Sequence, residues 1–116
     1  MLPKQYRLKK RSAFKATYKV KNSTHSGGVT LFAGRKKTEE IPTKVGFVVS
    51  KKVHKRAVRR NRLKRLMRES YRLLLKDNQL GTSQQHLSLI FVGSTRALNK
   101  DFNYIKGHIK KLLERV

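Results

Sequence analysis

The chain has 116 residues, and its 30 Lys or Arg side chains against six Asp or Glu give a formal net charge of +24. That length suits a single domain, here residues 1–116, and that charge excludes a balanced surface and favours a polyanionic partner such as RNA. The lack of Cys excludes a disulfide framework, and no apolar run approaches the ~18 residues of a membrane span, so we expect a cytoplasmic protein with no membrane partner.

The first predicted element is a short helix over residues 13–19, for which Ser12 is the expected N-cap. Phe14 and Tyr18 stand at i and i+4, so both rings lie on the same side of this helix. Two interpretations stay open for these rings. They either pack into the core or, next to Lys15, form a stacking platform for unpaired bases.

Strand-like segments follow over residues 29–33 and 44–50, after a turn and loop predicted for residues 22–28. A further short strand fits within residues 20–26. We expect the first two segments to pair with each other as an antiparallel hairpin.

The first of these strands has two distinct faces, because successive side chains of a strand alternate in direction. One face carries the apolar Val29, Leu31 and Ala33, and the other carries Thr30 and Phe32. Phe32 is therefore either a second core contact or an aromatic side chain of a groove.

A strongly basic helix is predicted next, beginning near Ala57. Residues 51–76 carry 12 Lys or Arg and one acid, Glu69. Apolar or small side chains recur at helical spacing, as expected of a helix with one side on a core: Leu63, Leu66, Met67, Ser70 and Leu74. The other side and its flanks carry polar and cationic side chains: Arg60, Asn61, Arg62, Lys64, Arg65, Arg68 and Arg72. One Glu cannot pair with so many cations, so this side is predicted to contact a polyanion.

The remaining elements are a buried strand over residues 87–92 and a last helix capped by Asn99 or Asp101. That helix has a regular apolar stripe: Phe102, Ile105, Ile109, Leu112 and Val116. The order helix, strands, basic helix, strand, helix predicts an α+β fold, a two-layer sandwich of sheet and helices.

The sequence offers no set of residues for catalysis by the protein alone. The six acids are scattered over separate elements apart from Glu39 and Glu40, and the four His residues show no metal-ligand spacing. No Gly-rich phosphate loop occurs. The pattern is typical of a protein that binds nucleic acid and does not cut it.

The basic helix and the strand before it carry a resemblance to a known family. VGFVVSKKVHKRAVRRNRLKRLMRES, residues 45–70, resembles the protein subunit of bacterial ribonuclease P, in which an Arg-Asn-Arg helix follows a Ser-Lys-Lys strand end. The resemblance extends to YRLKKRSAFKATYK, VTLFAG and LSLIFVGSTRALN, which together with the last helix make up most of the chain. One departure lies at His54, Lys55 and Arg56, where many members have Gly and Asn, so the path of this loop stays open.

The resemblance implies partners and residue roles. The partners are a catalytic RNA, which holds magnesium and hydrolyses precursor tRNA at its 5′ end, and the precursor itself. No cofactor is expected on the protein alone, and no DNA partner. Contacts to the catalytic RNA are implied for Arg60, Asn61, Arg62, Lys64, Arg65 and Arg68. A groove for the single-stranded 5′ leader is implied for Phe14, Lys15, Tyr18, Thr30 and Phe32, assisted by Lys51 and Lys52. The family also implies a left-handed strand-helix-strand crossover, whereas about 98% of such connections are right-handed.

Three other classes of protein share some of these features. A ribosomal-type RNA-binding protein or RNA chaperone has the same charge and architecture but needs no leader groove. A DNA-binding regulator presents its helix to the major groove, and no helix-turn-helix is evident here. A self-sufficient nuclease needs converging carboxylates.

The net charge yields a first testable prediction. Self-repulsion at +24 opposes the compact state, so the isolated protein is expected to be marginally folded at low salt and to gain helix as sulfate is added. Circular dichroism against sulfate concentration measures this gain. A signal that is fully helical without sulfate and flat on its addition contradicts the prediction.

Overall fold

The computed structural model describes residues 2–116, which form three α-helices and four β-strands. In chain order the elements are α1 (Arg11–Lys19), β1 (Asn22–Ser26), β2 (Val29–Ala33), β3 (Lys44–Val48), α2 (Ala57–Lys76), β4 (Ser88–Gly93) and α3 (Phe102–Arg115). Short 3-10 turns lie at Lys4–Tyr6, Ser83–Gln85 and Thr95–Ala97. The predicted α+β class is confirmed.

The four strands form one sheet in the order β1-β2-β4-β3. β2 pairs antiparallel with β1 and β4, and β3 runs parallel to β4. The predicted hairpin between β2 and β3 is therefore wrong, because β4 lies between them. The reason is burial. Leu89, Ile90 and Phe91 are all 0% exposed, so β4 is apolar on both faces and takes a central place in the sheet.

The turn and loop predicted for residues 22–28 is correct only at its end, because Asn22–Ser26 form the edge strand β1. The short strand suggested within residues 20–26 is thus present. Its side chains are polar since an edge strand outside the core is largely exposed. Gly27 and Gly28 make the two-residue turn to β2 with φ of 61° and 89°, values that favour glycine.

The basic helix α2 connects the adjacent parallel strands β3 and β4 as a crossover. It begins at Ala57, as predicted, and ends where Asn78 adopts a positive φ of 55°. The left hand that the resemblance implies for this crossover stays a prediction.

The core lies between the sheet and one side of α2 and α3. The fully buried residues of α2 are Leu63, Met67, Ser70, Tyr71 and Leu74. Four of these five belong to the predicted stripe. Leu66 is only partly buried, and Tyr71 extends the stripe in its place. The hydroxyl of Tyr71 accepts a hydrogen bond from Gln84 Nε2 at 2.9 Å, and burial raises the pKa of Tyr71 to about 12.

The helix α1 lies on the opposite face of the sheet and adds a partial third layer to the predicted sandwich. Thr17 is buried there, and its hydroxyl is hydrogen-bonded to that of Ser88 in β4. Ser12 is not the N-cap, because the helix begins at Arg11 after Lys10. The last helix is capped by Asp101, one of the two predicted residues, whose carboxylate accepts a hydrogen bond from the Tyr104 N–H at 2.9 Å.

The buried stripe of α2 yields a stability prediction. Leu63 is 0% exposed, so Leu63→Ala is expected to lower the free energy of unfolding by about 2–5 kcal/mol through lost burial and a residual cavity. Val58 is the matched control on the same helix. It is 71% exposed, so Val58→Ala is expected to stay within about 0.5 kcal/mol of the wild type. Urea unfolding measures both, and equal effects contradict the assignment of the buried side.

Candidate RNA-binding surfaces

The outer side of α2 displays the predicted RNA-contacting residues to different degrees. Asn61, Arg62 and Arg65 are exposed, whereas Arg60, Lys64 and Arg68 are partly buried. None of the six lies in the core. We call these six residues the basic helix face.

Three arginines of the basic helix face are engaged by the protein itself. Arg60 Nη1 donates to the carbonyl oxygens of His54 and Lys55, each at 2.8 Å. Arg62 reaches the carbonyls of Leu98 and Lys100 at 3.3 Å. The Arg68 guanidinium lies 5.9 Å from the centre of the Phe47 ring, a cation–π distance.

The other three residues are free of such ties. Within the part of the chain that the structure describes, the side chains of Asn61, Lys64 and Arg65 make no hydrogen bond. The single salt bridge within residues 2–116 joins Arg72 to Glu69, at 2.5 Å. The Arg72 hydrogen bond lowers the pKa of the Glu69 carboxyl, and the same bond raises the pKa of Arg72. The basic helix face is therefore not neutralised by carboxylates among residues 2–116.

Three aromatic side chains, Phe14, Tyr18 and Phe32, lie on the face of the sheet that carries α1. The rings of Tyr18 and Phe32 are in edge contact, with centroids 4.9 Å apart and planes at 80°. Phe14 packs over Gly46 of β3, where an added Cβ would lie 2.6 Å from Phe14 Cζ. Glycine at position 46 thus leaves the space that Phe14 fills.

The sheet forms the floor beside these rings. In the strand register Phe32 pairs with Ile90, which pairs with Gly46, and this row lies under α1. Two residues along, Thr30 pairs with Val92, which pairs with Val48, and all three are partly exposed. We call the three rings with Thr30, Val92 and Val48 the aromatic groove.

The exposure of the rings bears on the two interpretations that the sequence left open, which are core packing and stacking of unpaired bases. Phe14 and Phe32 are partly buried, Tyr18 is 36% exposed, and none of the three belongs to the core cluster. Partial burial raises the pKa of the Tyr18 hydroxyl. The rings therefore lie outside the core cluster and keep part of their surface accessible, while Phe14 also packs against the sheet. Stacking of bases on these rings stays a prediction.

Sequence reasoning missed Val48 and Val92 as members of the aromatic groove, and it missed Gly46 as the position beneath Phe14. The alternation of Ser88, Ile90 and Val92 would have placed Val92 beside Thr30 once the pairing of β4 with β2 was known. The incorrect hairpin prediction hid this neighbour.

Lysines predicted to bind the leader are exposed, both Lys15, predicted to line the groove, and Lys51 and Lys52, predicted to assist it. Lys15 follows Phe14 on α1, and Lys51 and Lys52 lie in the turn directly after β3, beyond Val48. Lys51 and Lys52 therefore lie at the end of the sheet where the floor of the groove is open, whereas Lys15 lies beside Tyr18 and Arg35.

The loop whose path the sequence left open, residues 50–56, has a defined hydrogen-bonded structure. The Val53 N–H donates to the Ser50 carbonyl at 3.1 Å, and the Arg56 N–H donates to His54 Nδ1 at 3.1 Å. With the two bonds from Arg60, this loop is attached to the first turns of α2.

Neither a metal centre nor a membrane span is found in residues 2–116. No three His, Asp or Glu side chains of this region come together as metal ligands. No helix in it is long and apolar enough to cross a bilayer.

The fold and the cationic helix define the class as a basic α+β protein that binds RNA, and comparison with known proteins agrees with this class. The sequence profile of the family described as Ribonuclease P matches residues 2–116. A ribonuclease P protein component from Synechococcus sp. (strain JA-2-3B'a(2-13)) is 34% identical over 120 residues, covering 99% of this chain and 84% of the relative. One from Clostridium novyi (strain NT) is 30% identical over 114 residues, covering 98% and 96%.

Solved structures show the same fold. The RNase P protein of Staphylococcus aureus matches with a TM-score of 0.78 and 24% identity over 97% of this chain and 95% of that chain. The RNase P protein from Thermotoga maritima matches with a TM-score of 0.77 and 24% identity, over 95% and 96%. The chain belongs to the ribonuclease P protein family. Its role is that of the protein component of this ribonucleoprotein endonuclease.

Proposed function

We propose that the basic helix face binds the catalytic RNA of ribonuclease P and that the aromatic groove binds the single-stranded 5′ leader of precursor tRNA. The protein thereby assists endonucleolytic maturation of the tRNA 5′ end in the cytoplasm. The observation that carries this proposal is that Phe14, Tyr18 and Phe32 lie outside the core with part of their surface accessible, on a protein whose cations are largely uncompensated.

The basic helix face suits folded RNA because its cations are presented on a rigid helix. Lys64 and Arg65 have no tie to the protein within residues 2–116, so both can contact phosphates. A guanidinium carries five N–H donors, and those that Arg60, Arg62 and Arg68 leave unused can join the same surface. Asn61, between two arginines, adds a side chain that can donate and accept.

The aromatic groove suits an unpaired strand because bases stack on ring faces whatever their identity. We assign Lys15, Lys51 and Lys52 to the phosphates of such a strand, because all three are exposed cations. Precursor has a leader to occupy the groove and mature tRNA has none. Preference for precursor over product then follows from the presence of the leader.

The proposed chemistry is divided between protein and RNA. Among residues 2–116, no three His, Asp or Glu side chains come together as metal ligands. Magnesium and the hydrolytic step are assigned to the catalytic RNA. The protein contributes positive charge where two polyanions approach, which lowers their repulsion and the magnesium concentration needed.

The leader groove is tested by removing two rings. Phe14→Ala with Tyr18→Ala in the reconstituted holoenzyme is expected to weaken precursor binding by about 1–3 kcal/mol per lost stack, with binding of mature tRNA unchanged. Equilibrium binding with both RNAs measures the difference.

The matched control is Phe102→Ala, which removes a partly buried ring on α3, away from the groove. It is expected to leave both affinities unchanged. Equal losses for precursor and mature tRNA in the double variant contradict the groove assignment. Enrichment of ribosomal RNA over one structured RNA in a cellular pull-down favours instead a ribosomal-type protein or chaperone.

The basic helix face is tested by salt dependence. Arg65→Ala is expected to weaken assembly with the catalytic RNA. The slope of log affinity against log salt concentration should fall by the equivalent of about one phosphate contact. Binding titrations over a series of salt concentrations give the slope. Lys110, exposed on α3, is the control, and Lys110→Ala is expected to leave the slope unchanged. A slope that Arg65→Ala does not alter rejects the contact.

A further inference from the structure

Within residues 2–116, Arg60 and Arg62 are the cations of α2 whose guanidinium groups donate to backbone carbonyls of another segment. Arg60 differs from Arg62 because the segment that it holds is the loop directly before the helix. We propose that Arg60 is a positioning residue, which attaches residues 50–56 to α2 and so fixes Lys51 and Lys52 relative to the basic helix face. The inference rests on the proposed function, since it assigns those lysines to the leader.

The geometry is that of a clamp. A single nitrogen, Arg60 Nη1, donates to the carbonyls of His54 and Lys55, both at 2.8 Å. Hydrogen bonds from a charged donor are about twice as strong as neutral ones, and the Arg60 side chain is partly buried, which limits competition by water. These two bonds link successive carbonyls of the loop to the first turn of the helix that follows it.

Repulsion between like charges destabilises the loop of residues 50–56. Residues 50–56 contain the cations Lys51, Lys52, Lys55 and Arg56 and no acid, so mutual repulsion favours opening of the loop. Two hydrogen bonds lie within the loop, Val53 N–H to the Ser50 carbonyl and Arg56 N–H to His54 Nδ1. Arg60 opposes the opening by holding the carbonyls and not the charged side chains, which stay free to face an RNA strand.

The clamp leaves part of the guanidinium available. Arg60 Nε and Nη2 make no hydrogen bond within residues 2–116, so they can meet a phosphate while Nη1 holds the loop. One side chain then connects the RNA surface to the lysines at the end of the groove. Arg65, one turn further along α2, has no such tie and provides the matched comparison.

The two roles of Arg60 are separated by amide hydrogen exchange in the free protein. Arg60→Ala is expected to speed exchange of the Val53 and Arg56 amides by at least about tenfold, the factor that corresponds to loss of one of the two charge-assisted hydrogen bonds. Arg65→Ala is expected to leave both amides unchanged. Exchange at Phe91 in the central strand reports global unfolding in the same spectra, so loss of the fold cannot be mistaken for loss of the clamp. Unchanged loop exchange in Arg60→Ala overturns the proposal.

The consequence for the holoenzyme is tested with the catalytic RNA at saturation, so that weaker assembly does not contribute. Under those conditions Arg60→Ala is expected to reduce the preference for precursor over mature tRNA several-fold, whereas Lys110→Ala, an exposed position on α3, leaves it intact. Equal preference in Arg60→Ala and wild type contradicts a link between clamp and leader. The exchange measurement uses no RNA, so it stands or fails separately from the leader groove.

Discussion

The structure depends on the balance, along α2, between repulsion of like charges on one side and burial of apolar side chains on the other. Pairs such as Arg60 with Lys64 and Arg68 with Arg72 stand at i and i+4, and each destabilises the helix by about 0.2–0.5 kcal/mol. Burial of a side chain such as Leu63 or Met67 stabilises it by about 1.5–3 kcal/mol. The buried side therefore outweighs the charged side, and the helix can display cations that a free peptide helix would not tolerate.

Burial of apolar side chains also explains how the basic helix face and the aromatic groove are arranged. α2 and α3 cover one face of the sheet and take up most of the apolar side chains, whereas α1 covers only part of the other face. That leaves Phe32, which contacts Tyr18, and Val92, which pairs with Thr30, partly exposed. The groove is thus the remainder of a sheet face that one short helix cannot cover. The turn after β3 brings Lys51 and Lys52 to its open end.

Local patterns in the sequence predicted what depends on local geometry. The 3.6-residue period located α2 and four of its five buried residues, and alternation in β2 separated Leu31 from Phe32. The pairing of β2 with β4 was not predictable in this way, because it joins segments that are far apart in the chain. The edge strand β1 was concealed by its polar composition. The clamp made by Arg60 was not visible either, since a run of cations does not reveal which guanidinium turns back onto the backbone.

The central claim is that the basic helix face binds the folded catalytic RNA and that the aromatic groove binds the single-stranded 5′ leader. The most direct measurement is photochemical cross-linking in the holoenzyme from single leader nucleotides of a precursor tRNA, with the attached residues identified by mass spectrometry. The account predicts adducts on the aromatic groove, at Phe14, Tyr18 or Phe32, and adducts from the catalytic RNA on α2. Leader adducts confined to α2 or α3, with the groove unlabelled, would contradict it.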